Sequence, residues 1–145
     1  MSKEIIAKAG KIVEDNAIQG GAFKGQICTL SLIDEDGFPT ASVLTPSKAD
    51  GINSVTLCTM LDCNAAKRSK ACNRASICFA STEYCINLVG EVEVITSDDI
   101  KREMWYDALS AHFTGPDDPN YCVLKLTTKR YKLLVDWQEV EGRLP

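Results

Sequence analysis

The sequence predicts a mainly β chain with peripheral helices, an α+β fold whose six or seven short antiparallel strands close into a small barrel. Three observations predict it. Short runs rich in Val, Ile, Thr and Leu are separated by tight Asp-Gly turns. Helical periodicity is confined to three segments. The 145 residues have ordinary globular composition, 45% hydrophobic and 25% charged, enough to bury a core without a metal or disulfide framework. That length fits one domain spanning residues 1–145, and closing the sheet removes exposed edges.

The elements follow in order. Ile5, Ile6, Ala9, Ile12, Val13 and Ala17 recur at helical spacing, with Lys3, Glu4, Lys8, Lys11, Glu14 and Asp15 opposite them, so the first segment is an amphipathic helix ending near Gln19-Gly20-Gly21. Its Ile5, Ile12 and Val13 face is the one to pack on the sheet. Ile27 to Ile33 is the first strand, broken by Asp34-Glu35-Asp36-Gly37, and Thr40 to Leu44 returns from that turn. Asp50-Gly51 makes a second turn before Ser54 to Thr59. Asn64 to Asn73 contains neither proline nor glycine and reads as a short helix. Ala75 to Ala80 and Tyr84 to Ile95 are strands, with Gly90 marking a bulge or a close backbone approach. Thr96-Ser97-Asp98-Asp99 supplies capping side chains and first-turn acids for a helix over 98–113 that carries Ile100, Met104, Ala108 and Ala111 inward. Gly115-Pro116 stops it. Tyr121 to Leu126 and Tyr131 to Val135 are the last strands.

Charge and cysteine usage exclude several function classes. With 16 basic and 20 acidic side chains the net charge is −4, which argues against a protein that wraps the nucleic-acid backbone. Seven cysteines, an odd number at irregular spacing with no CxxC pair, are not a disulfide framework and suit a reducing cytoplasm. Several lie in apolar strings, where a thiol acts as a small hydrophobe. No stretch approaches the roughly 20 apolar residues of a membrane span, and the start of the chain has no long apolar core. The expectation is a chain with no membrane association.

Chemistry concentrates in one place. Cys63 to Thr82 contains no acidic residue, and Lys67, Arg68, Lys70 and Arg74 fall within it, directly after the strand ending Leu57-Cys58-Thr59. A strand end, a hydroxyl, a helix start and clustered cations are what a phosphate needs. A solvated helix face would present the same charges. His112 is the only histidine, and without GxSxG, HExxH or GxxxxGK[ST] elements it has no local partner for a triad or a metal site, so it reads as a capping or surface residue. Trp105 and Phe113 read as packing residues, with a cofactor-facing ring as the other reading.

The order of motifs resembles a known family. Asp36-Gly37-Phe38-Pro39, Ala41-Ser42-Val43-Leu44, Cys58-Thr59, the basic helix and Ala75-Ser76-Ile77-Cys78-Phe79 are similar to the first half of the pyridoxamine-phosphate-oxidase-like, FMN-binding split barrels. Leu88-Val89-Gly90-Glu91-Val92-Glu93, Trp105, and Phe113 to Tyr121 followed by Val123-Leu124-Lys125-Leu126 resemble the bacterial general-stress-protein branch of that family. The resemblance implies a six- or seven-stranded antiparallel split barrel that forms a homodimer, with FMN in clefts between subunits. It implies that the phosphate meets Thr59, Ser42 and at least one of Lys67 and Arg68, that the ring lies along Val43, Leu44 and Met60, and that Trp105 of the neighbouring subunit is a further contact. Ser42 stands where many relatives have a phosphate-binding arginine, and Ala65 where they have a lysine.

The resulting expectation is a flavoprotein oxidoreductase of unnamed substrate, with no metal and with its chemistry carried by FMN, so that no acid-base dyad is needed. Two other readings stand beside it. One is a barrel that holds a flavin or a small phosphorylated ligand without turnover, in stress response. The other is a cysteine redox sensor built on Cys63, where the helix start and nearby cations favour a thiolate.

Overall fold

A computed structural model describes residues 2–21 and 24–145. The chain opens with helix α1 (Ser2–Asn16), whose Ile5, Ala9 and Val13 are buried while Ile12 packs against the same core. This is the apolar face the periodicity predicts. Asn16 ends the helix by donating its side-chain amide back to the Ile12 carbonyl at 2.8 Å and to the Tyr84 hydroxyl at 3.2 Å, which ties the last turn to Tyr84.

Eight antiparallel strands follow: β1 (Cys28–Ile33), β2 (Pro39–Leu44), β3 (Lys48–Asp50), β4 (Ser54–Met60), β5 (Arg74–Ala80), β6 (Tyr84–Ile95), β7 (Tyr121–Val135) and β8 (Gln138–Arg143). Their order in the sheet is β2-β1-β5-β6-β7-β4-β3, with β8 pairing to β7 as a branch. The long strand β7 serves both arms of the sheet: residues from Tyr121 to Thr127 pair with β4, and Arg130 to Val135 pair with β8. The inner faces enclose the main core, with Leu30, Leu57, Ile77, Ile86, Leu88 and Leu124 fully buried, and a smaller cluster gathers Met104, Leu109, Phe113 and Tyr121. At the split, β2 and β4 are not paired to each other.

The predicted barrel is present, and its details differ in three places. β3 has only three residues and β8 carries a single large apolar side chain, Val140, so neither shows the apolar alternation that marks a strand. The two strands expected over 121–126 and 131–135 are one, because the polar residues between them keep the ladder with Thr128 turned inward. The helix expected over 98–113 is divided into α3 (Asp98–Met104) and a 3-10 turn (Asp107–Ala111), with Trp105 and Tyr106 extended between them. Packing decides this break. Trp105 sets its ring 5.5 Å from that of Tyr121, and Phe113 lies 5.1 Å from Tyr121, while the Tyr121 hydroxyl donates to the Lys101 carbonyl at 2.9 Å. Tertiary contacts of this size override a helical spacing pattern.

Gly90 performs both roles its position suggests. The β6–β7 register shifts between Val89 and Gly90, and a Cβ there would meet the Thr127 carbonyl oxygen at 2.0 Å. Helix α2 (Asn64–Ala71) lies between β4 and β5, packing Ala66 into the core. No described helix is long and apolar enough to cross a membrane.

Candidate functional site

The site is built at the split, where the free edge strand β2 approaches the end of β4. Val43 and Leu44 on β2, Cys58, Thr59 and Met60 on β4, and Tyr106, Leu109, His112 and Phe113 from the 3-10 segment line a cleft of about 300 Å³, completed by Ile27 and Thr45. Ile27, Val43 and Met60 are 56%, 57% and 42% exposed. Large apolar side chains left open together on a cleft wall mark a surface that something covers. No Asp, Glu, Lys or Arg lines this cleft.

A second groove of about 380 Å³ lies over β3, β4, β6 and β7 beside α3. It is larger, but Lys48, Asp50, Glu93, Glu103 and Lys125 give it a mixed, self-compensating charge, and none of the residues singled out by sequence belongs to it. The smaller cleft gathers the coherent set.

Four of the sequence-predicted residues, Val43, Leu44, Thr59 and Met60, meet in that cleft. The register puts Thr40, Ser42 and Leu44 on the same face of β2, opposite Leu32, Leu30 and Cys28. At 3.3–3.4 Å per residue, roughly 13 Å separates Thr40 from Leu44, with Ser42 midway. Arg68 is folded toward that face. Its side chain is 24% exposed, and its guanidinium donates to the Thr40 hydroxyl at 3.3 Å and to the Glu35 carboxylate at 3.4 Å. Glu35 is held below the usual carboxylate range by a backbone hydrogen bond and by Arg68. Lys67, the next residue on α2, is exposed. The two neighbouring cations therefore have different surroundings, which sequence order alone does not separate.

The turn from β4 into α2 is fixed by sulfur. Cys63 caps the helix, accepting the Ala66 N–H at 3.5 Å, and its thiol lies 3.3 Å from the Thr59 hydroxyl. Ala65 is half-buried against the core. Trp105 lies in the aromatic cluster with Phe113 and Tyr121 and is not among the cleft residues.

Sequence reasoning missed the second wall. His112 is exposed as expected, at the end of the 3-10 turn, yet it faces the cleft together with Tyr106. Their placement depends on the break after Met104, and that break is made by contacts to Tyr121, on a distant strand. Behind this wall Cys58 places its thiol 3.6 Å from the Tyr121 hydroxyl and 3.7 Å from the Met104 carbonyl. Burial pushes the Cys58 thiol, the Tyr106 phenol and the Tyr121 phenol upward, so these groups enter neutral chemistry as hydrogen-bonding atoms, not as anions. Ser47 is fully buried nearby with its hydroxyl making no hydrogen bond of standard length. Among the described residues no group of three or more His, Cys, Asp or Glu side chains could hold a metal ion.

Known proteins share this fold. The pyridoxamine 5'-phosphate oxidase family model matches residues 18–134. A Clostridium acetobutylicum protein related to general stress protein 26 of B. subtilis, of the pyridoxinephosphate oxidase family, superposes with a TM-score of 0.81 at 20% identity, covering 99% of this chain and 97% of that one. General stress protein 26 from Bacillus anthracis str. Sterne gives 0.71 at 18% identity over 92% of this chain and 98% of that one. A pyridoxamine 5'-phosphate oxidase-related, FMN-binding protein from Nostoc punctiforme gives 0.65 at 14% identity, covering 99% and 94%. No curated protein sequence matches the chain.

Proposed function

The chain belongs to the pyridoxamine 5'-phosphate oxidase family, and from that premise we propose that it binds FMN at the split between β2 and β4 and acts as a flavin-dependent oxidoreductase. The observation that carries this reading is the uncharged cleft walled by Val43, Leu44, Thr59 and Met60, with the Arg68 guanidinium turned toward the same face of β2 that carries Ser42 and Leu44. An apolar wall suits a planar ring and a charge-assisted donor suits a phosphate. The residues present therefore fit the group, although Ser42 and Ala65 offer no cation where many family members have one.

FMN, when bound, supplies the two-electron redox chemistry. The chain's own residues bind, orient and shield. Arg68 and Ser42 would hold the phosphate end, with Lys67 adding countercharge from solvent. Val43, Leu44 and Met60 would cover the ring and exclude water. The Thr59 hydroxyl, tied to Cys63, would stand at the junction between the two ends. Tyr106 and His112 face the opening and are the polar groups available to a substrate.

A homodimer belongs to the same proposal, because a cleft of about 300 Å³ with exposed apolar rims is small for a whole cofactor and invites a second wall. Seven free thiols support residence in a reducing compartment. The decisive experiment titrates FMN into the purified chain by fluorescence quenching. It then supplies a reduced nicotinamide cofactor and follows loss and recovery of flavin absorbance when an acceptor is added. Binding with reduction and reoxidation supports the oxidoreductase. Binding without them leaves a flavin carrier, and no binding at micromolar flavin overturns the proposal.

A further inference from the structure

Outside the cleft, one pair of nucleophilic side chains is unused. The Cys78 and Cys85 sulfurs lie 3.9 Å apart, on β5 and β6 either side of a short hairpin turn. In the ladder Cys78 opposes Asn87 and Ala80 opposes Cys85, so the two cysteines are diagonal neighbours on the outer face of the sheet. Both are half-buried and both are free. We propose that Cys78 and Cys85 form a redox-active dithiol that closes to an intramolecular disulfide on reaction with a small-molecule disulfide.

The geometry favours closure within one chain. Diagonal cross-strand neighbours usually stand slightly beyond the Cα separation a disulfide spans, so closure needs a small backbone movement, but here the two sulfurs are already 3.9 Å apart. A rotation about each χ1 and a slight tightening of the hairpin bring the sulfurs to bonding distance. Because the turn holds the partner in place, the second step is intramolecular and its effective concentration is high.

Exchange proceeds in two balanced steps. The Cys85 thiolate attacks one sulfur of the small disulfide, forming a mixed disulfide and expelling the first thiolate, which takes up a proton. Cys78 then loses its proton to solvent and attacks the Cys85 sulfur, expelling the second thiolate. Two protein thiols are oxidised and one disulfide is reduced to two thiols. Environment assigns the order. Burial, followed by the neighbouring Cys85, pushes the Cys78 thiol up to about 11, making it a poor first nucleophile and a suitable resolving group. Lys132, diagonal to Cys85 across the β6–β7 ladder, is held by Glu139 at 3.1 Å.

The test equilibrates the full-length protein in glutathione redox buffers, traps free thiols with N-ethylmaleimide and digests with trypsin. Cleavage after Arg74 and Lys101 leaves both cysteines, and no other, in one peptide. The expected product has lost two hydrogens, carries no maleimide and is restored by dithiothreitol. The Cys78→Ser protein should stop at glutathione on Cys85. In the native protein the ratio of closed to mixed disulfide should exceed that in urea by roughly tenfold or more, the gain of a fixed partner. A wild type that stops at the mixed disulfide, that takes two maleimides at every redox ratio, or that closes equally well in urea would overturn the proposal.

Discussion

The Arg68 guanidinium reaches from α2 to the Thr40 hydroxyl on β2, 3.3 Å away, and Thr40 in turn donates to the Leu32 carbonyl at 2.9 Å. A cation of the basic helix is thereby fixed over the edge strand that forms one wall of the cleft. Glu35 steadies it from the far side at 3.4 Å. A side chain held this way has already lost much of the rotamer freedom that binding a phosphate would otherwise cost.

Arg68→Ala should weaken FMN binding by at least about tenfold, or 1.4 kcal/mol, the loss of one charge-assisted contact. Lys67→Ala should cost less, and its effect should fade with salt because an exposed charge is screened. Fluorescence quenching of FMN at several salt concentrations measures both. Equal, small losses would mean that the two cations only solvate the helix.

Gly90→Ala should destabilise the fold by about 1–3 kcal/mol, the range for forcing atoms into a packed site. The added Cβ would meet the Thr127 carbonyl oxygen, a main-chain atom, at 2.0 Å, so β6 and β7 would have to part at the bulge. The urea midpoint reports the effect. A midpoint matching that of the parent would show that the ladder relaxes freely there.

Much of this was legible because local signals agreed with the global fold. Asp-Gly turns, the Ile5/Ala9/Val13 stripe and Gly90 each state their role within a few residues. Val43, Leu44, Thr59 and Met60, singled out by the order of the motifs around them, come together in one cleft. The Trp105–Tyr106 break, by contrast, is decided by Tyr121 on a strand sixteen residues beyond Trp105. For that reason the wall of Tyr106, His112 and Phe113 could not be assembled from helical spacing. Arg68 and Lys67 are adjacent in sequence and equal in charge, and only the rotation of α2 against β2 distinguishes them.

Asp118 links the loop after the 3-10 turn to acid stability. Its carboxylate accepts the backbone N–H of Thr114 at 3.0 Å and of Asn120 at 2.9 Å, which holds it below its ordinary value of 3.8. The native state therefore binds this proton less tightly than the unfolded chain. Its stabilisation is present above the unfolded value and is lost as pH falls through the native one. Asp118→Asn should flatten the decline of the urea midpoint on the acid side of about pH 4. An unchanged acid limb would assign that decline to other carboxylates.

The open rims of the cleft predict self-association. Light scattering at micromolar concentration should return the mass of two chains, as a two-fold contact using Ile27, Val43 and Met60 would give. A mass of one chain would remove the shared cleft from the proposed site.

Val43→Glu separates the wall from the fold. Val43 is 57% exposed on an edge strand, and substitutions at such positions usually change stability by less than about 0.5 kcal/mol, so the urea midpoint should stay near that of the parent. The new carboxylate would stand on a cleft that carries no other formal charge, where covering it with an apolar ring strips its water without offering a partner. FMN affinity should therefore fall by well over tenfold while folding is retained. Measuring mass alongside affinity distinguishes the two ways this can happen. Loss of FMN with the dimer intact places the ring on Val43, whereas simultaneous loss of both assigns Val43 to the subunit contact and the cofactor's dependence on it to the second wall. Retained affinity in a folded dimer would move the ring away from β2.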